Sequence, residues 1–160
     1  MPAPNIAAAT RYFAVGVTRM VFCTGVSVLT APSRAEINAG TDLSNEIVDT
    51  SGWTIAANLL DAPDLGHIFN GKVTGRTSAE DSAVTVYASL TTADIRAAMP
   101  RGTTGVMLIM WGGDVTGRKM DAYPVTVASV GKSIPDNKAS DIKISFAITS
   151  QPAEDVAIPA

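Results

Sequence analysis

Residues 104–127, "TGVMLIMWGGDVTGRKMDAYPVTV", decide how the chain is to be read. Gly112 and Gly117 carry the spacing of a phosphate-cradling loop. Such a loop needs G-x-x-x-x-G-K-[ST] opening a helix, with the lysine on the phosphates and the hydroxyl on magnesium. Here Arg118 takes the lysine position, Lys119 comes one residue late, Met120 replaces the hydroxyl, and a strand-like run follows. An apolar strand, a Gly-rich turn and another apolar strand make a β-hairpin, in which the glycines supply positive φ. The first arm, "TGVMLIMW", is apolar on both faces, so it is a central strand or one whose outer face meets another subunit. In the second arm, "MDAYPVTVASVG", Pro124 marks an edge or a bulge.

Outward from the hairpin the pattern stays mostly β. "SAVTVYASL" alternates, with Val84, Val86, Ala88 and Leu90 on one side. "IKISFAIT" alternates as well, with Ile142, Ile144, Phe146 and Ile148 inward, after the polar loop "KSIPDNKASD". "RYFAVGVTRMVFCTG" is rich in aromatic and β-branched residues and predicts a long strand ending at Gly25. Between these, "TTADIRAAMP" changes period: Ile95 and Met99 fall four apart, Thr91 or Thr92 can cap, and Pro100 closes a short helix. Ser33 and Glu36 stand at capping-box spacing before Gly40, which allows a further helical turn or a loop. Glu46–Val48 and Trp53–Leu60 are apolar pieces separated by a Thr-Ser-Gly turn. Residues 61–81 show no regular pattern and are expected to form a long functional or partner-ordered loop. Residues 1–10, with Pro2 and Pro4, and residues 150–160, with Pro152 and Pro159, are expected to be extended arms. The sum is a mainly β chain: two packed antiparallel sheets or a β-barrel, flanked by one short helix, in a single domain over residues 1–160.

Composition narrows the function. The chain has 160 residues, 46% of them apolar and 17% charged. The charged share lies below the roughly 25% of ordinary soluble domains, which mildly favours subunit contacts. A net charge of -3 and scattered basic residues argue against a protein built to grip nucleic acid. The single cysteine, Cys23, excludes an internal disulfide and sits in an apolar run, so a buried, inert thiol is expected. The opening residues lack the charged lead and apolar stretch of a secretory signal. The run Tyr12–Cys23, broken by Arg19, is too short to span a bilayer, so no membrane insertion is expected.

Catalytic constellations are weak. His67 is the lone histidine and no G-x-S-x-G elbow accompanies it. An enzyme pairing His67 with Asp64 or Asp81 is conceivable, but a surface or contact histidine fits better. Asp61, Asp64, Glu80 and Asp81 lack EF-hand spacing and are better taken as solvated carboxylates. Trp53 and Trp111 lie in strand patterns and suit packing, although a ligand-binding barrel could line a cavity with them and the methionines. No cofactor and no metal are expected.

The order of the segments carries more than any one of them. "GTDLSNEIVDTSGW", "LDAPDLGHIFNGKVTGRTSAEDSAVTVYAS", "DIRAAMPRGTTG", "GGDVTGRKMDAYPVTVAS" and "FAITSQPAEDVAIPA" together resemble the major tail tube proteins of tailed bacteriophages, especially those of actinobacterial hosts. The likeness runs from about residue 12 to the end. It implies a structural protein of the virion tail without catalysis, assembled in the host cytoplasm as stacked, hexameric rings into the hollow tail tube that conducts DNA. Implied partners are further copies of the chain, a tape-measure protein, a tail terminator and baseplate or tip proteins, with a sheath protein only in a contractile tail. A single-ring terminator or connector, or the tube of a contractile injection device, is the nearest alternative. The long loop at residues 61–81 resembles the family's extended loop that reaches a neighbouring subunit, and both arms could bridge rings. The candidate subunit-contact residues are Asp64, His67, Phe69, Arg76, Glu80, Trp111 and Arg118.

Overall fold

The computed structural model describes residues 6–90 and 95–160. The first strand, β1 (Arg19–Cys23), is followed by helix α1 (Arg34–Asn38) and the short strands β2 (Thr41–Asp42) and β3 (Ile47–Ser51). Next come β4 (Ile55–Ala62), β5 (Gly71–Ala79) and β6 (Ser82–Tyr87), then helix α2 (Ile95–Ala98). The chain closes with β7 (Thr104–Met110), β8 (Lys119–Ser133), β9 (Asp141–Ile148) and β10 (Ala153–Ala157). All pairings among the described residues are antiparallel, in two sheets. An eight-stranded sheet runs β2-β1-β7-β8-β9-β6-β3, with β10 also on β8, and β4 pairs with β5 in a separate two-stranded sheet. The large sheet ends in β2 and β3 and does not close, so the arrangement is two sheets and not a barrel.

The hairpin read at residues 104–127 forms as expected. Thr104 to Ile109 pair with Thr126 to Asp121, and Gly113 and Gly117 in the turn take φ of 86° and 83°. Strand β7 is indeed central, between β1 and β8. One face, with Met107 and Ile109, joins the main core of Phe22, Val84, Val86, Tyr123, Val125, Ile144 and Phe146. Its other face, Val106, Leu108 and Met110, is covered by Ile37 of α1 and by Val156 and Ile158 at the chain's end. The chain itself buries both faces, so a second subunit is not required to explain the apolar run.

Pro124 sits where β8 changes partner. Its neighbour is β10 through Ala122 and β9 from Val125 onward. The Pro124 carbonyl accepts from the Thr149 N–H at 3.0 Å on that side. In an antiparallel strand the N–H and C=O of one residue point the same way, so the donor that proline lacks falls at the changeover. The bulge in β8 lies further on, between Val127 and Ser129.

Four expectations are revised. The strand predicted from Arg11 begins only at Arg19, because a turn intervenes: Val17 and Thr18 N–H donate to the Ala14 carbonyl, and Gly16 takes φ 80°. The turn offered as helix or loop at Ser33 is helix α1, with a complete capping box, so two short helices flank the sheets in place of one. The long loop expected at residues 61–81 instead holds the end of β4 and all of β5, leaving residues 63–70 and 80–81 irregular. The C-terminal arm is not free, since β10 pairs with β8 and buries Val156 and Ile158. Helix α2 lies inside the predicted span, with Ile95 and Met99 buried, whereas its proposed caps Thr91 and Thr92 lie outside the described residues. Residues 6–10 of the N-terminal arm are exposed and irregular, and residues 1–5 lie outside the described ones.

Candidate assembly surfaces

The β4–β5 hairpin is attached to the large sheet through the turn at Gly52–Trp53. Gly52 takes φ 77°, and a Cβ there would meet the Asp81 carbonyl oxygen at 2.4 Å, so only glycine fits this close crossing. Trp53 follows at φ 63°. Its N–H donates to the buried Ser82 hydroxyl at 3.0 Å, and its carbonyl accepts from the Tyr123 hydroxyl at 2.9 Å. Its ring packs edge-on against Tyr123, with centroids 5.3 Å apart. Burial, then Asp121 and Glu154, push the Tyr123 phenol up to about 12. The root of the hairpin is therefore set in the core. The Trp53 indole N–H is buried with no hydrogen-bond partner among the described residues.

Beyond its root the hairpin carries no such support. From Ala56 to Ala62 every residue of β4 is exposed, and in β5 only Gly71 and Gly75 are not. Among the described residues both strands pair only with each other. Lys72 and Asp61 form a cross-strand ion pair at 3.2 Å, exposed and therefore worth little. At the tip, Asp64 accepts from the Gly66 N–H and from the His67 ring at 2.8 Å each. The His67 hydrogen bond, then that of Gly66, lowers the Asp64 pKa. Leu65 and Ile68 are fully exposed and Phe69 nearly so.

The candidate residues divide by place. Asp64, His67 and Phe69 come together at the tip, Arg76 is exposed on β5, and the Glu80 N–H bonds the Thr54 carbonyl at the hairpin's base. Trp111 and Arg118 belong instead to the β7–β8 turn. The Trp111 indole donates to Asp121 at 2.6 Å and its carbonyl accepts from the Thr18 hydroxyl at 2.8 Å. Arg118 donates to the Gly112 carbonyl across the same turn. These two have structural duties within their own chain. Sequence reading passed over Leu65 and Ile68; their signal was two large apolar residues set between Asp, Gly, His and Asn in an unpatterned stretch.

His67 and Asp64 do meet, but at a bare tip with no enclosing wall, where nothing would exclude water or position a substrate. Among the described residues no cluster of His, Cys, Asp and Glu could hold a metal ion. Cys23 is buried and its thiol is pushed up, chiefly by burial and then by Glu36, which disfavours the reactive thiolate. A groove of about 350 Å³ lies between the N-terminal segment and β3, lined by Val15, Met20, Val48, Trp53 and Trp111 among others. Asp49 is the one titratable residue in its lining, so it offers no assembled reaction centre.

The fold is an open antiparallel sheet from which a separate hairpin extends. The structure is similar in fold to chains in three solved assemblies. One is the virion of a native gene transfer agent particle (TM-score 0.52, 11% identity, 72% of this chain and 88% of that one). A second is the tail of an empty gene transfer agent particle refined with C6 symmetry (TM-score 0.52, 8% identity, 86% and 93%). The third is the six-fold symmetrised baseplate of the anti-feeding prophage (TM-score 0.52, 10% identity, 96% and 98%). No curated protein matches the sequence significantly. The model of the phage tail tube protein family matches residues 7–160, and the chain belongs to that family. It is a tail tube structural protein. Among the described residues no helix is long and apolar enough to cross a membrane.

Proposed function

We propose that copies of this chain join head to tail in rings of six, and that the rings stack into the hollow tube through which DNA leaves the virion. The observation that carries this reading is the β4–β5 hairpin. It exposes nearly all its side chains, pairs among the described residues only with itself and ends in Leu65, Ile68 and Phe69 bare to water. Exposed apolar clusters of this kind mark interaction sites. In a polymer of identical copies the natural acceptor is a neighbouring subunit, reached by a heterologous contact that closes into rings or propagates as a filament. Six-fold symmetry is supported by the C6 and six-fold assemblies that hold the similar folds. The subunit has no catalytic role. A tape-measure protein fills the lumen during assembly, and terminator and baseplate proteins meet the ends.

Asp64, His67, Phe69, Arg76 and Glu80 line the reaching element along its length. Trp111 and Arg118 shape the β7–β8 turn, a second contact face. Negative-stain microscopy of concentrated protein, with and without a tail initiator, tests the reading. Tubes of uniform width are expected, and single particles at every salt and concentration would overturn it. Replacing residues 63–70 by a two-residue Asn-Gly turn should keep the β-rich circular dichroism and abolish tubes. This is a cleaner change than deleting residues 64–79, which would remove all of β5 and leave β4 unpaired.

A further inference from the structure

Strand β8 carries opposite charge at its two ends. Near its start, Asp121 stands beside Glu154 and Asp155, the bulged residues of β10. Asp121 accepts from the Trp111 indole and, at 2.9 Å, from the Asp155 N–H. Asp155 holds φ 57°, a conformation that aspartate tolerates, and both Glu154 and Asp155 are exposed. The field of Asp121 and Glu154 is felt at the Tyr123 phenol, whose proton it helps to retain. Lys119 lies on the same strand, two residues from Asp121, and offsets only part of this charge. Arg19, on β1 beyond β7, is engaged with Asp42 at 3.2 Å. At the other end of β8, Arg96 and Arg101, from α2 and the turn after it, stand with Lys132 around a groove of about 340 Å³ floored by Pro100 and Val130. All three cations are exposed. Arg96 donates to the Ser89 carbonyl at 3.3 Å, which holds it at the rim. Asp121 and Lys132 are eleven residues apart on β8, near its two ends, so the two clusters lie at opposite ends of that strand.

We propose that the Arg96–Arg101–Lys132 groove is a docking site for the Asp121–Glu154–Asp155 cluster of a second copy. Charge complementarity selects the occupant: the chain carries both a basic cleft and, at the other end of β8, an acidic projection. A surface and its complement at opposite ends of one strand cannot satisfy each other within that molecule. They can do so along a chain of copies, as a heterologous contact. Such a contact would set register and direction between successive subunits and would be weakened by salt. The inference rests on the tube reading and adds a second, polar contact to the apolar hairpin tip.

The test compares pelleting of tubes formed by the wild-type chain, Lys132→Glu, Arg101→Glu, Glu154→Lys and the exchange variant Lys132→Glu/Glu154→Lys. Asp121 is left intact because it holds Trp111 and the bulge. Each single reversal should raise the critical concentration about tenfold or more, and the exchange should bring it back to within about threefold of wild type. Circular dichroism and thermal melts check that each variant is folded. For any that is not, Lys132→Gln or Glu154→Gln replaces it, with an expected rise of about threefold. Wild-type tubes with single reversals that assemble normally, or an exchange no better than its parents, overturn the pairing and leave the tube reading standing. A wild-type chain that never forms tubes removes the tube reading itself, and this inference with it.

Discussion

The β4–β5 and β7–β8 hairpins have the same antiparallel geometry and opposite circumstances. Strand β7 buries side chains on both faces, against the main core on one side and against α1 and β10 on the other. Strands β4 and β5 bury almost nothing beyond their root. An isolated two-stranded hairpin is marginal in water. The β4–β5 hairpin is held by its hydrogen-bond ladder and by the Gly52–Trp53 anchor, whereas β7–β8 is held by the whole fold. The difference teaches where each hairpin's sequence is answerable: β7–β8 to its own core, and β4–β5, in the proposed assembly, to a neighbour.

Substitutions can break or sharpen that contrast. The largest effect on the monomer belongs to the buried hairpin. Leu108→Ala, at a fully buried site, should lower unfolding free energy by about 3 kcal/mol in urea titration. An unchanged midpoint would mean that the α1–β10 cover is not packed as described. Next is Tyr123→Phe, which strips the Trp53 carbonyl of its donor at the root of the exposed hairpin. It should cost about 1–2 kcal/mol. It should also speed amide exchange in β4–β5 more than in β7–β8, and equal change in both would deny the anchor its role.

The exposed hairpin inverts the pattern. Changing Leu65, Ile68 and Phe69 together to Ser should move monomer stability by no more than about 0.5 kcal/mol, as for surface sites generally. Tube formation should be lost all the same. A large fall in melting temperature would show that the tip packs on its own chain. The smallest effect concerns α1, which covers β7. Hydrogen bonds from Ser33 and Ser27 hold the Glu36 carboxylate at about 2 against an ordinary 4.5. A folded pKa below the unfolded one means that this contribution is present above pH 4.5 and lost as pH falls toward 2. Glu36→Gln should therefore melt with a shallower acid dependence than wild type in that window, and parallel curves would sink the assignment.

Legibility followed burial. Strands β6 and β9 each bury one face of alternating residues, so the pattern Val84, Val86 and Ile142, Ile144, Phe146 announced them. The β7–β8 turn was readable from its glycines, two of which, Gly113 and Gly117, sit at positive φ. Strand β5, "GKVTGRTSA", has no buried face and hence no alternation, so it passed for loop. The N-terminal aromatics erred the other way: Tyr12 and Phe13 suggested strand, yet they are exposed ahead of a turn. At the candidate surfaces, Asp64, His67 and Phe69 were read as contact residues of a long loop, and the structure gathers them at the hairpin tip. Trp111 and Arg118 could not be seen to serve the β7–β8 turn, because their partners Asp121 and Gly112 become partners only across it.

By itself, then, the sequence determined the elements whose cause is local or periodic: the Gly-rich hairpin, the Ser33–Glu36 cap and the half-buried strands. The order of its segments also determined the family. Tertiary structure alone decided that β10 returns to cover β7, that β8 exchanges β10 for β9 at Pro124, and that acidic and basic clusters end up at opposite ends of one strand. Those outcomes depend on contacts between residues far apart in the chain, whose energies no window of neighbouring residues contains.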